Sequence, residues 1–201
     1  MAHRRANERG TLARVALRLN AGNLPPLVLM TDDDRLPDPC AAARSLPRGS
    51  LIVLRARDKQ HRKALAAALA RIARARSLFL LIADDPELAR SADGAHFPEA
   101  QMGAIATWRA RRPDWFLTTS AHSLAAAQRA AGFGADAVFL SPVFPTASHP
   151  GRTAIGPVRL RLMAQEARVP IYALGGIHAG NARELLGARL AGIAAIGALI
   201  P

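Results

Sequence analysis

The sequence is short of cysteine, lysine and aromatic side chains, and each shortage closes off a class of protein. Cys40 is the one cysteine among 201 residues, so no disulfide can form within the chain, and a reducing cytoplasmic setting is expected. No apolar run approaches the roughly 20 residues that cross a bilayer, so no membrane span or membrane partner is expected. Aromatic residues make up only 4% of the chain. With no zinc, homeodomain or RNP pattern beside them, the stacking platforms of single-strand binders are missing. Positive charge, by contrast, is plentiful: the net charge is +12 and nearly all of it is arginine, with Lys59 and Lys63 the only lysines. Such a field draws anions. Because the arginines fall in alanine-rich stretches of helical period, we read them as solvated helix faces rather than a nucleic-acid surface.

The arginine-rich opening, MAHRRANERGTLARVALRLNAGNLPP, has no uninterrupted apolar core and no small-residue cleavage site, so it does not read as a targeting peptide. Leu12, Val15, Ala16 and Leu19 lie at helical spacing, which predicts an amphipathic helix over 10–20 docked on the body. Eight short apolar runs follow, at 27–32, 50–56, 78–84, 94–98, 115–122, 137–143, 170–176 and 192–199. Segments of helical period separate them, among them 60–76, 99–111, 123–132, 157–167 and 180–188. Eight βα units of this kind predict a closed (β/α)8 TIM barrel rather than an open doubly wound sheet. The expected organisation is an N-terminal helix and linker over 1–26 and a single barrel domain over 27–201. No eighth outer helix is expected after the last strand, and the N-terminal helix is expected to cover that side.

In such a barrel the chemistry sits at the C-terminal strand ends. Polar groups gather there in this sequence: Thr31 and Asp32, Arg55 and Arg57, Asp84 and Asp85, His96, then Ser120, His122 and Ser123. The sixth run leads into SPVFPTASHPGRT, which offers Thr146, Ser148, His149 and Arg152 among prolines, either to an anion or to its own backbone as a rigid turn. Gly175 and Gly176 end the seventh run, and Ile196 and Gly197 end the eighth. Glycines let a ligand approach the backbone, and free N–H groups at a helix start attract anions. We therefore expect a phosphate seat there, assisted by a helix beginning near Asn181. A bulkier residue at Gly176 is expected to remove that seat and leave the fold intact.

The pieces LVLMTD, VLRARDK, SAHS, GADAVFLSPVFPTASHPG, ALGGI and GIAAIGAL stand in the order and at the spacing of a known family. From about residue 27 onward the chain resembles thiamine phosphate synthase and its TenI-type thiazole tautomerase relatives. The resemblance implies a synthase that joins an aminopyrimidine pyrophosphate to a thiazole phosphate, with Mg2+ on the departing pyrophosphate. It implies that Gly176, Ile196 and Gly197 hold a small phosphorylated thiazole, with Thr146 and Ser148 beside the substrates. Arg55 is then expected to face the pyrophosphate and Asp84 to ligate Mg2+.

The pattern fails on one side only. Gln-Leu-Arg-x-Lys of the family reads here Val53-Leu54-Arg55-Ala56-Arg57, and Asn-Asp-Arg reads Ala83-Asp84-Asp85. Gln101 stands where a second metal carboxylate is expected, with Glu99 the nearest acid, and His149 stands for a lysine. The losses cluster on the pyrophosphate and metal machinery, which relies on carboxylates and cations. We therefore expect a TenI-like, thiazole tautomerase-type proton transfer that needs no cofactor, with His122 and Ser120 as the catalytic pair. The alternatives are a Mg2+-dependent synthase, in which Arg57, Arg152 and His149 rebuild the pyrophosphate site, and an inactive barrel that only binds phosphate ligands.

Overall fold

The computed structural model describes residues 2–20, 22–146, 151 and 153–200, with side chains from residue 7 onward. Eight parallel strands pair in chain order and close on themselves, β1 hydrogen-bonding to both β2 and β8. They are β1 (Leu27–Met30), β2 (Leu51–Leu54), β3 (Phe79–Ala83), β4 (Gly94–Phe97), β5 (Phe116–Ala121), β6 (Ala137–Leu140), β7 (Ile171–Leu174) and β8 (Gly192–Ala195). The predicted barrel is thus the observed one, each strand lying within its apolar run.

Alternation within the short strands splits the apolar residues into two cores. Val28, Met30, Leu51, Val53, Leu81, Phe139 and Tyr172 fill the barrel itself. Phe139 and Tyr172 stack there with centroids 4.8 Å apart, and the Tyr172 hydroxyl donates to the Pro25 carbonyl at 2.9 Å. The second and larger core lies between the strands and the outer helices.

Helix α1 (Ala2–Leu19) starts earlier than predicted and buries the expected face, Leu12, Val15, Ala16 and Leu19 all being at most 5% exposed. It packs across β8 and β1, and the Arg9 guanidinium donates to the Ile200 carbonyl at 2.9 Å. The N-terminal helix therefore covers the flank at β8 and β1, where among the described residues only the 3-10 turn Gly197–Leu199 follows β8. Burying each large aliphatic side chain contributes about 1.5–3 kcal/mol, so this face alone anchors the segment.

The outer layer departs from expectation in three places. An unpredicted helix, α2 (Pro39–Ser45), forms because Asp38 caps it, accepting the Ala41 N–H at 2.8 Å, while Pro39 occupies its first turn. Helix α3 (Lys59–Arg76) follows β2 as expected, but the segment after β4 makes a 3-10 turn at Glu99–Gln101 before α4 (Ala104–Arg111) begins. Helices α5 (Leu124–Gly132) and α6 (Pro157–Glu166) follow β5 and β6. The helix expected over 180–188 is only a 3-10 turn, Ala182–Leu185. Glycines at 180 and 187 bracket it, and Asn181 turns away to bond the chain behind it.

Candidate active site

A cavity of about 1010 Å3 opens at the C-terminal mouth of the barrel, running from the ends of β7 and β8 across to the β1 and β2 loops. Of the candidate residues, Arg55, Thr146, Gly175, Gly176, Ile196 and Gly197 line it. Ser148 and His149 lie outside the described residues, as does Arg152.

The β7 end of the cavity is built by chain on chain. Val143 donates to the Leu174 carbonyl and Phe144 to the Gly175 carbonyl, at 2.9 and 3.0 Å, which straps the β6 loop onto the β7 loop. Gly175 and Gly176 have φ of 97° and 67°. A Cβ at Gly176 would stand 2.5 Å from the Pro145 carbonyl oxygen and 2.8 Å from Phe144 Cβ. These glycines are therefore demanded by the close passage of the β6 loop and by a left-handed backbone, besides any ligand. That overturns the expectation that a bulky residue at Gly176 leaves the fold intact. Gly197 is the contrasting case, since a Cβ there meets nothing within 4 Å.

The expected helix dipole is absent too, because only the short turn at Ala182–Leu185 follows β7. Asn181 instead spends its side chain locally. Its amide donates to the Gly176 carbonyl at 2.9 Å, and its oxygen accepts the His178 N–H at 2.9 Å. Any anion seated here must rely on the main chain of the β7 and β8 loops.

His122, the residue after β5, is not among those lining the cavity but touches Ser141, which is. Its Nδ1 lies 2.8 Å from the Ser141 carbonyl oxygen. A carbonyl only accepts, so Nδ1 carries the hydrogen and the lone pair of the neutral ring is on Nε2. The His122 backbone N–H donates to Glu99 Oε2 at 2.9 Å, and Glu99 Oε1 approaches Arg129 at 3.7 Å. Ser123 caps α5 immediately after, accepting the Ala126 N–H.

Ser120 belongs to a different group. Its hydroxyl is 3.1 Å from His96 Nε2, and His96 Nδ1 is 3.0 Å from the Thr118 hydroxyl, a relay set inside the barrel. His96 is 4% exposed, and burial, with Arg55 adding repulsion, drives its pKa down to about 3. It is therefore a neutral imidazole across the physiological range. The structure does not bring Ser120 and His122 together as a hydrogen-bonded pair; Ser120 is engaged by His96.

The β1–β4 side of the mouth is occupied by internal ion pairs. Arg55 is fixed at its backbone, its N–H donating to the Thr31 hydroxyl at 2.8 Å while that hydroxyl donates to the Arg55 carbonyl at 2.7 Å. Its guanidinium lies 3.9 Å from Asp32. Arg57 points to Asp33 and Asp34 instead of the cavity, with contacts of 3.3 and 2.6 Å. Asp84 is exposed and has a left-handed φ of 60°. Asp85 accepts the Leu88 N–H at 3.1 Å and approaches Arg62 at 3.9 Å.

These carboxylates offer a Mg2+ ion a single exposed candidate ligand, Asp84. Glu99 is committed to the His122 amide and faces Arg129, Asp85 to its own turn, and Asp84 alone offers an exposed oxygen pair. Among the described residues no three His, Cys, Asp or Glu side chains form a group able to hold a metal.

Two features of the mouth carry no sequence signal. Glu8 of α1 lines the cavity, placed there only by the docking of that helix. The aspartates on Arg57, Asp33 and Asp34, lie more than 20 residues from it in the chain. No helix among the described residues is long and apolar enough to cross a membrane.

Known proteins agree with this architecture. A thiamine phosphate pyrophosphorylase from Pyrococcus furiosus superposes with a TM-score of 0.74 at 26% identity, covering 90% of this chain and 87% of that one. The thiamine-phosphate synthase of Chlorobium luteolum is 31% identical over 186 residues, 90% of this chain and 88% of its own. A putative thiamine-phosphate synthase 2 of Aquifex aeolicus is 42% identical over 93 residues, a match that spans about half of either protein. Residues 27–199 match the family described as thiamine monophosphate synthase, and the chain belongs to that family.

Proposed function

We propose that the protein binds a phosphorylated thiazole at the β7–β8 end of the cavity and moves a proton on it, as a TenI-like thiazole tautomerase acting in thiamine biosynthesis in the cytoplasm. The observation that carries this reading is the asymmetry of the mouth. The β7–β8 end offers open main chain at Gly176, Ile196 and Gly197, with Thr146 at its edge. On the β1–β4 side, by contrast, Arg55 and Arg57 are paired with aspartates and Glu99 is committed to the His122 amide.

In this reading main-chain N–H groups of the β7 and β8 loops receive the phosphate, and Thr146 orients the ring. His122 accepts a proton at Nε2 and returns it to a second position. Its Nδ1–H···O=C bond to Ser141 fixes the tautomer, and the Glu99 carboxylate fixes the backbone that carries the ring. The neutral His96 relay holds Ser120 without adding charge beneath the substrate. No metal or other cofactor takes part in these steps.

Proton transfer by a positioned side chain contributes about 10²–10⁴-fold, so His122→Ala is expected to lower metal-free tautomerase turnover by that factor while ligand affinity changes little. Turnover unchanged in His122→Ala would refute the assignment.

A second reading is supported by the names of the relatives, since the Chlorobium protein matched along most of its length is a thiamine-phosphate synthase. Under it, a Mg2+-dependent synthase recruits Asp84 and Arg55 to the pyrophosphate. Mg2+-dependent formation of thiamine phosphate by the purified protein is its test.

A further inference from the structure

A second cavity, of about 600 Å3, lies at the N-terminal end of the barrel and shares no lining residue with the mouth. Three connections wall it: the linker from α1 to β1, the turn from α6 to β7 and the chain leading into β8. Its apolar side is made by Leu24, Val169, Ile171, Leu190 and Ala191, of which the last four are at most 7% exposed. Arg168 and Arg189 supply the only charges among the described residues that line it.

Strand order and local closure produce this arrangement. Arg168 stands three residues before β7 and Arg189 three before β8. The two strands pair in parallel with Tyr172 beside Gly192, so both cations come to one edge of the barrel. Neither guanidinium has a hydrogen bond or ion pair to another described residue, whereas Arg55 and Arg57 at the mouth are paired with aspartates. The linker wall is already closed on itself. The Asn20 amide donates to the Leu24 carbonyl at 2.6 Å, its oxygen accepts the Gly22 N–H at 2.8 Å, and Asn20 bridges in parallel to Leu190. Beyond Leu24, the Tyr172 hydroxyl holds the Pro25 carbonyl. A wall set in this way costs little ordering when a ligand arrives.

Cavities of about 300–1,000 Å3 that combine apolar walls with a few charged groups are the usual form of a small-molecule site. The apolar side takes a ring system out of water, and two guanidiniums without carboxylate partners receive an anionic group. We propose that this cavity is a second binding site, for a small molecule that joins an apolar ring system to one anionic group, a carboxylate, sulfonate or phosphate. Barrel chemistry belongs to the C-terminal face, whereas the N-terminal face serves stability. A ligand held between the α1 linker and the entries to β7 and β8 therefore stabilises the fold without touching the reacting atoms. The site is independent of the reaction performed at the mouth.

The test is a fluorescence titration of the full chain, at low ionic strength, with anilinonaphthalene sulfonate, a ring body carrying one sulfonate. The wild type is expected to bind the probe, and Arg168→Gln/Arg189→Gln to bind it about tenfold more weakly, a loss of about 1.4 kcal/mol. Arg44→Gln/Arg71→Gln removes the same charge from α2 and α3, outside the cavity, and should stay within about twofold of the wild type. All four arginines are exposed, so both variants are expected to fold. Phenylnaphthylamine, the same ring body without the sulfonate, should bind the wild type and Arg168→Gln/Arg189→Gln alike. Gly197→Val, at the mouth, should leave affinity for the sulfonate probe unchanged, which separates the two cavities. The proposal is overturned if the wild type does not bind the probe, if Arg168→Gln/Arg189→Gln binds it as well as the wild type, or if the two double variants lose equally. A loss as large for the uncharged probe, or a tenfold loss in Gly197→Val, overturns it too.

Discussion

The two ends of the barrel mouth are made from the same fold but satisfied in opposite ways. At β7–β8 the polypeptide is held by its own backbone: the β6 loop is strapped to Leu174 and Gly175, Asn181 closes the turn, and Gly197 faces open space. At β1–β4 the side chains satisfy one another, arginine against aspartate, and Glu99 against the His122 amide. A backbone-built seat leaves donors for a ligand, whereas a rim of paired side chains must be dismantled before a ligand is held. The difference teaches that a guanidinium already paired with a carboxylate must lose that pair before it serves a ligand.

The glycines break this comparison most sharply. Gly176→Val is expected to destabilise the protein by more than about 3 kcal/mol, because its side chain would strike Pro145 and Phe144 while the backbone stays left-handed. Gly197→Val has room, so its melting temperature should stay close to the wild type while affinity for a phosphorylated thiazole falls about 100-fold, or about 2.7 kcal/mol. Melting curves and calorimetry on the two variants separate the roles. Equal loss of fold in both, or unchanged ligand affinity in Gly197→Val, would erase the distinction between a structural and a ligand-facing glycine.

A smaller effect sharpens the other end. His96 is neutral in the folded state with a pKa lowered to about 3, against 6.5 for the ordinary side chain. The unfolded chain therefore binds more protons between these values, and stability present above pH 6.5 is lost as pH falls toward 3. The slope is about 1.4 kcal/mol per pH unit. Denaturant unfolding of wild type and His96→Gln between pH 7 and 5 should show a shallower pH dependence in the variant. Parallel curves would mean that His96 is charged in the fold.

Much of the architecture was legible because apolar runs and helical periods survive folding as strands and packed faces. The eight runs became eight strands, and Leu12, Val15, Ala16 and Leu19 became the buried face of α1. What escaped was set by local capping or by distant partners. Asp38 and Pro39 carried a readable start signal for α2, which was missed. The pair Asp34 and Arg57 had no signal, since only the closing of β1 against β2 brings them together. At the site, Gly175, Gly176, Ile196 and Gly197 were legible from glycine and spacing as residues that line the cavity, but the packing of Gly176 against the Pro145 carbonyl was not. The pairing of Ser120 with His96 depends on β4 and β5 lying in register at His96 and Thr118.

The central claim is that this mouth supports metal-free proton transfer on a thiazole phosphate and not pyrophosphate displacement. The most direct measurement supplies the purified protein with both thiamine precursors and Mg2+, and in parallel with the tautomerase substrate in the presence of a chelator. The account predicts turnover in the chelated reaction, lost in His122→Ala, and no formation of thiamine phosphate in the other. Robust Mg2+-dependent thiamine phosphate formation, abolished by Asp84→Ala and indifferent to His122→Ala, would contradict it.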